Sequence, residues 1–473
     1  MATLPLRPAL GLFLAGTLAA CEARTLESPG PSAEALPGAG ARFRTAAPAQ
    51  VRLLTRGDLL PLVTVGDTLP NGQPWAPIPD GLGGYAEQDH LVLYVNHELS
   101  ASGVRDPSGT PRFRYARVSR LVLDPATFQV TDASYVVTGS EQYERLCSAT
   151  WVGPEEGFPG GYFLTGEEST GGTHDGIQLA ISRSGQVYEL PWMGRYAHEN
   201  QVAVPYAGKV VTLGLDDTRG ASELYLYVAD READVLHGTG RLYVLTVPGV
   251  PNVAALTRGK PVEGRFVEVP QAASLSSGAL QATVNALGAF PFVRLEDGDY
   301  DKQRGRRQPT LYFVDTGSGT TLCNGALCDP YGSIYRLELD PRDPTRARLT
   351  LLERSSGWQS GWASPDNVAA SRTSLMVQED PAIADFARAP RIYHFRIRGN
   401  GTLGPGEAVV EANNPECVDA QGTCWETSGI VDASAWFGPG AWLFDVQAHS
   451  KPAPGANLQA EDGQLLFLRI RGT

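Results

Sequence analysis

Cys147 and the pair Glu167–Glu168 stand at the two ends of one hairpin-sized stretch, CSATWVGPEEGFPGGYFLTGEE. A Gly/Pro-rich loop and a short apolar strand separate them, so the strand returns the carboxylates toward the sulfur. A soft thiolate beside hard carboxylates suits a metal site. A buried core thiol is the alternative reading of the cysteine.

Other segments carry residues of the same kind. In HLVLYVNHE, Asn96 and Glu98 lie two apart on an expected strand, which puts both on one face with His97 opposite. Gly166 and Glu168 have the same relation. In YAHEN, Glu199 is a candidate metal ligand, and His198 is placed to orient it or to stabilise a leaving group. Asp216 and Asp217 are adjacent; their repulsion would be relieved by a bound cation. Arg294 and Glu296 share a face in FVRLEDGDYD. A guanidinium beside a metal-binding carboxylate suits a phosphate substrate, because it contacts phosphate oxygens in pairs. Asp297, Asp299 and Asp301 partly match a calcium loop but lack the distal glutamate. The basic run from Lys302 to Arg307 reads as a solvated loop. Ser364-Pro365-Asp366-Asn367 reads as a turn before a strand, and Asp380 closes that strand ahead of Pro381. The chain has no Gly-x-Ser-x-Gly elbow, phosphate loop, His-Glu-x-x-His or dinucleotide fingerprint, which argues against serine hydrolases, nucleotide-driven enzymes and zincins.

What must position these residues is a β scaffold. Six runs recur with one theme: HLVLYVNHE, GYFLTGEE, KVVTLGLDD, TLYFVDT, SLMVQED and GAWLFDVQ. Each is a short β-prone run that ends in a polar or acidic cluster. Each is followed by a second strand candidate, among them SRLVLDP, GRLYVLTV, GSIYRLELDP and RIYHFRIRG. About six such units, unevenly spaced and without short-period repeat signatures, predict an all-β fold, a six-bladed β-propeller with an axial metal site. Acids at equivalent strand ends would then converge near the axis. A β-sandwich is the competing layout, though usually much shorter than 473 residues.

Composition agrees. The net charge is −13, which argues against nucleic acid as a partner and for cation binding or plain solubility. Residues 1–21 read as an export signal: Arg7, an apolar run from Ala9, then Leu18-Ala19-Ala20-Cys21, which resembles a bacterial lipobox. Cleavage there would leave Cys21 lipidated, a membrane anchor on a cell-envelope lipoprotein facing the periplasm or the cell surface. An ordinary cleaved signal is the alternative. Residues 22–50, rich in Ala, Pro, Ser and Gly, read as a flexible tether, and 51–473 as one propeller domain, expected to be a monomer. Cys323 with Cys328, and Cys417 with Cys424, suit small loop-closing disulfides in an oxidising compartment. Cys147 is then the spare thiol.

Val95-Asn96-His97-Glu98, Cys147-Ser148 with Glu167-Glu168, Gly194-Arg195-Tyr196-Ala197-His198-Glu199, Asp216-Asp217, Arg294-Leu295-Glu296 and Ser364-Pro365-Asp366-Asn367 occur in the order seen in PhoX-type alkaline phosphatases, which the chain resembles from about Val51 onward. The resemblance implies a six-bladed propeller that hydrolyses phosphate esters outside the cytoplasm with iron and calcium ions. It implies Cys147, Glu199 and Glu296 as iron ligands. It also implies Glu98, Glu168, Asp216 and Asp380 as further metal ligands, and Asn96 and Arg294 as phosphate contacts. The chain departs from the family pattern at Gly166, where relatives commonly carry a second cysteine, at Leu295 in place of proline, and in lacking a lysine ahead of Ser364. Two other readings stay open: a phosphodiesterase or phytase-like calcium enzyme, and a non-catalytic anchored propeller whose metals are structural.

Overall fold

The structure, a computed structural model, describes residues 42–472 apart from 110–111, 221, 360, 382–387, 415–423 and 450–459. The export signal, most of the tether, Cys21 and Cys417 lie outside the described residues.

All six recurrent runs are strands: His90–His97, Tyr162–Glu167, Val210–Asp216, Thr310–Asp315, Ser374–Glu379 and Ala441–His449. They are buried along almost their whole length, because each is the second strand of a sheet packed between two neighbouring sheets. Both faces are therefore apolar, and the runs read as continuous rather than alternating. Each pairs antiparallel with an inner strand that precedes it in the chain: Pro79–Glu87, Leu146–Val152, His198–Val204, Leu295–Tyr300, Pro365–Ala370 and Glu426–Asp432. These six inner strands pack side by side in a closed cycle, the last against the first. The arrangement is all-β and propeller-like.

The apolar core is divided to match. One cluster joins Val92 and Tyr94 to Phe163 and Leu179; another joins Leu164 and Ala180 to Tyr225 and Tyr227. A third joins Leu213 and Leu226 to Phe313 and Leu337, and a fourth joins Tyr312 and Val314 to Val377 and Tyr393. Met376 and Ile392 meet Phe444 and Leu466, and Leu443 and Phe467 close the cycle on Leu93 and Leu121. Burying each such Leu or Phe contributes about 1.5–3 kcal/mol.

The expectation of six separate blades needs correction. Four sheets have four or five strands each, while a fifth is a continuous nine-stranded sheet that runs from His198–Val204 to Leu295–Tyr300. Its two halves are fused because Val262–Glu268 pairs with Asp343–Arg354, from Val262↔Leu349 to Arg265↔Arg346. Pairing satisfies two edges that would otherwise expose their backbone groups.

Cys323 and Cys328 form the expected disulfide, and Cys424 is also disulfide-bonded. The basic run is only partly solvated. Lys302 pairs with Asp299 and Asp432, and Arg304 with Asp301 and Glu338. Nor do the aspartates beside it form a calcium loop: Asp297 and Asp299 accept the backbone N–H groups of Val368 and Ala370, stitching one inner strand to the next.

Candidate metal centre

Each of the six inner strands carries a β-bulge near the start of its pairing, after the first pair in five of them and after the third in Glu426–Asp432. In each, the inner strand gains one residue on its partner: Pro79 to Leu82 against His97 to Val95, Leu146 to Ala149 against Glu167 to Thr165, and correspondingly in the other four. Bulges bend a strand and re-aim its side chains. Two residues before regular pairing resumes stand Asp80, Cys147, Glu199, Glu296, Asp366 and Ser428, one from each inner strand. Gly81 follows Asp80 because a Cβ there would lie 2.5 Å from the Ala149 nitrogen and the Cys147 oxygen.

Five of these six residues belong to four overlapping groups of three, and within each group the candidate ligand atoms lie within 4.8 Å of one another. The groups are Asp80, Glu98 and Cys147; Cys147, Glu168 and Glu199; Glu199, Glu296 and Asp366; and Asp366, Asp380 and Glu426. The result is an arc of eight carboxylates and one thiol around the axis.

This arrangement is costly without cations. Burial and the neighbouring Glu98 push Asp80 up to about 7. Burial, with Glu168, Glu296 and Asp366 nearby, holds Glu199 well above the carboxylate range. Burial does the same to Glu168, Glu296, Asp366 and Glu426. Burial and Asp80 raise the Cys147 thiol, which donates to Asp80 Oδ2 at 3.1 Å. Asp80 Oδ1 and Asp366 Oδ1 are buried without a hydrogen-bond partner among the described residues. Orphaned acceptors, mixed sulfur and oxygen donors and excess negative charge together fit bound metal ions.

A second layer orients the first. Ser148 donates to Glu199 Oε2 at 3.0 Å and accepts from Asn367 at 2.8 Å. Gln447 donates to Asp80 and Glu98. Two arginines counter the charge. Arg294 grips Asp217 with Nε and Nη2, both at 2.9 Å, and lies 3.2 Å from Glu296. Arg145 bridges Glu98 at 2.7 Å and Glu168 at 2.6 Å. Burial pulls Arg294 down, but Glu296 and Asp217 outweigh it and keep the guanidinium firmly charged.

The sequence model of the family described as "Alkaline phosphatase PhoX" matches residues 182–425, a little over half the chain and the part that brings Glu199, Glu296, Asp366 and Asp380 together. The chain belongs to the PhoX alkaline phosphatase family. Membership makes it a phosphoric ester hydrolase of a metal-dependent kind. No curated protein matches it. Among solved structures, the crystal structure of a thermostable family-43 glycoside hydrolase is similar at 10% identity and a TM-score of 0.35, over 84% of this chain and 93% of that one, a likeness too loose to bear on the site.

Within this PhoX-family site, Glu98, Cys147, Glu168, Glu199, Glu296 and Asp380 fall in the four groups. The other residues singled out in the sequence stand apart. Glu167 accepts backbone N–H groups from Glu144 at 2.8 Å and Gly176 at 3.2 Å, so it ties down a loop. Asp217 is engaged by Arg294. Asp216 is buried against Glu223 rather than in the arc, and burial with that neighbour raises it well above its usual range. Asn96 donates to the Cys147 carbonyl at 2.7 Å and to Thr165 Oγ1 at 2.8 Å. His198 packs against Tyr196 in a tilted arrangement with ring centres 3.6 Å apart, and burial lowers it to about 3, so it is neutral. The same imidazole accounts for Gly166: a Cβ there would lie 2.6 Å from His198 Cβ.

Sequence reading assigned no ligand role to Asp80, Asp366 or Glu426. A signal existed for the first two. An acid or thiol followed by a small polar residue or glycine recurs at Asp80-Gly81, Cys147-Ser148, Glu199-Asn200, Glu296-Asp297 and Asp366-Asn367, each at the start of an inner strand.

Proposed function

We propose that this PhoX-family chain hydrolyses phosphate monoesters outside the cytoplasm, at an axial centre of iron and calcium ions in a six-bladed propeller. The four overlapping ligand groups carry the reading. The blade count treats the nine-stranded sheet as two blades fused at their outer edges, in keeping with six inner strands and six interlayer clusters. Export and lipid anchoring at Cys21 are supported by the apolar segment that ends in Leu18-Ala19-Ala20-Cys21.

Bound metal ions would supply Lewis-acid polarisation of the phosphoryl group and an activated oxygen nucleophile. Cys147, Glu199, Glu296, Asp366 and their neighbours would hold them. The protein's own contribution is positioning and charge. Arg294, clamped by Asp217, presents donors to the equatorial phosphoryl oxygens and favours the charge that develops on them. Asn96 fixes the Cys147 backbone, and neutral His198 packs behind Glu199. No side chain acts as the nucleophile.

The test is hydrolysis of p-nitrophenyl phosphate with elemental analysis before and after exhaustive chelation. Iron and calcium in the active protein, loss of turnover on stripping and its return on adding both support the reading. Turnover that survives complete metal removal, or none on any phosphate ester, overturns it. Detergent-phase partitioning that is lost in Cys21→Ala tests the anchor.

A further inference from the structure

Arg145 and Arg294 occupy the same position in their blades, two residues ahead of Cys147 and Glu296. Ile78 and Ser364 stand at that position in two other blades. All four have left-handed backbone, with φ of 54°, 51°, 61° and 47° for Ile78, Arg145, Arg294 and Ser364. Such a conformation costs a non-glycine residue on the order of 1 kcal/mol or more and persists where the surroundings hold it. At Arg145 and Arg294 it launches a guanidinium over the metal-ligand arc.

The two arginines are held alike. Arg145 meets Glu98 through Nε and Nη2 and Glu168 through Nη2. Arg294 uses Nε and Nη2 on Asp217 and Nη2 on Glu296. In both, Nη1 makes no hydrogen bond among the described residues. Arg145 lies 2.6 Å from Glu168 and Arg294 3.2 Å from Glu296, and a ligand atom of Glu199 lies within 4.8 Å of each of those carboxylates, so the two guanidiniums flank one stretch of the arc. They differ in depth: the Arg145 side chain is 44% exposed and that of Arg294 18%. Carboxylates thus fix one edge of each fork and leave the other edge to a ligand, one near the mouth and one deeper in.

We propose that Arg145 is a second phosphate-binding residue, which closes with Arg294 on the non-bridging oxygens of the phosphoryl group from the solvent side. The inference rests on the phosphatase reading above. A phosphate monoester dianion offers three non-bridging oxygens, more than one guanidinium edge can satisfy, and arginine pairs with such oxygens in planar geometry. A residue at the mouth meets the anion in both the bound substrate and the released phosphate, so its effect falls on KM and on product inhibition more than on kcat.

The test compares wild type, Arg145→Ala and Arg145→Lys for KM and kcat with p-nitrophenyl phosphate, Ki for inorganic phosphate, and metal content. Arg145→Ala is expected to raise KM and Ki together by roughly 10- to 100-fold, as loss of charge-assisted hydrogen bonds does, with a smaller fall in kcat and unchanged metal content. Arg145→Lys should recover part of the loss. An unchanged Ki in a variant that keeps its metals overturns the proposal. So does a loss in both variants that tracks metal content and is restored by added metal, since Arg145 would then only support Glu98 and Glu168. If wild-type protein with metals bound neither turns over phosphate esters nor binds phosphate, the phosphatase reading itself fails.

Discussion

The two halves of the ligand arc are built on one plan from different atoms. One half comprises Asp80, Glu98 and Cys147, then Cys147, Glu168 and Glu199, and both of its groups contain the sulfur. The other half comprises Glu199, Glu296 and Asp366, then Asp366, Asp380 and Glu426, and contains only oxygen. Glu199 belongs to both. Each half has its own guanidinium, Arg145 on the sulfur side and Arg294 on the oxygen side. Equivalent bulges aim Cys147, Glu296 and Asp366, so a single side-chain exchange at one repeated position changes the character of half the centre. Thiolate favours a transition metal such as iron, and an all-oxygen set favours a hard ion such as calcium. The halves should therefore be separable by experiment.

The largest effect is expected from removing all metal at once. Turnover should vanish, and the stripped protein should lose stability as pH rises. The sign follows from burial, which lifts folded-state values for Asp80 to about 7 and for Glu199, Glu296 and Asp366 well above the usual range. Well below their unfolded values of about 4, at about pH 2 to 3, these groups are neutral whether the chain is folded or not. As pH climbs, the unfolded chain releases its protons first, and folding becomes less favourable until the folded values are passed. For Asp80, the shift from 3.8 to about 7 corresponds to on the order of 4 kcal/mol. Thermal melts of stripped and loaded protein between about pH 5 and 8 check this. A stripped protein that gains stability toward pH 8 contradicts it.

Next comes Cys147→Ser. It should cut turnover by about 100-fold or more and remove the transition metal while calcium stays, as read by elemental analysis. Asp366→Asn should do the converse, lowering calcium and reducing turnover by about tenfold or more, with the transition metal retained. If either variant loses both metals in parallel, the halves form one cooperative cluster and the comparison between them fails.

How much of this the sequence showed depends on which strand carried it. The second strands were legible because both their faces are buried, so TLYFVDT and SLMVQED stand out as apolar runs, and the acids just past several of them, such as Glu98, Glu168 and Asp380, were visible. The inner strands were not. PDGLGGYAE and ETSGIVD line the axis, where polar and small residues are needed, and each is interrupted by a bulge that breaks the period of two. Asp80 and Glu426 were hidden for that reason, and Asp366 passed for a turn residue. Asn96 and His198 drew attention through their segments' resemblance to the family, yet one ties down a backbone and the other packs against an aromatic ring. The fusion of two meanders into nine strands depends on edge pairing between Val262–Glu268 and Asp343–Arg354, which are far apart in the chain.

The smallest expected effect marks the boundary of the sulfur half. Glu167 and Glu168 are neighbours, but successive side chains of an extended chain point to opposite faces, and only Glu168 reaches Cys147 and Glu199. Glu167 turns to the loop behind, where Oε1 accepts from Glu144 N–H and Oε2 from Gly176 and Ile177 N–H. Glu167→Gln keeps the shape but points an amide N–H₂ at one of those donors. The mismatch should cost about 1–3 kcal/mol, seen as a lower denaturation midpoint, with metal content and turnover per folded molecule unchanged. Glu168→Gln should show the opposite pattern: metal lost from the sulfur half, along with relief of a buried charge. If Glu167→Gln sheds metal as readily as Glu168→Gln, the adjacent carboxylates act as one unit and the division drawn between loop anchor and ligand is wrong.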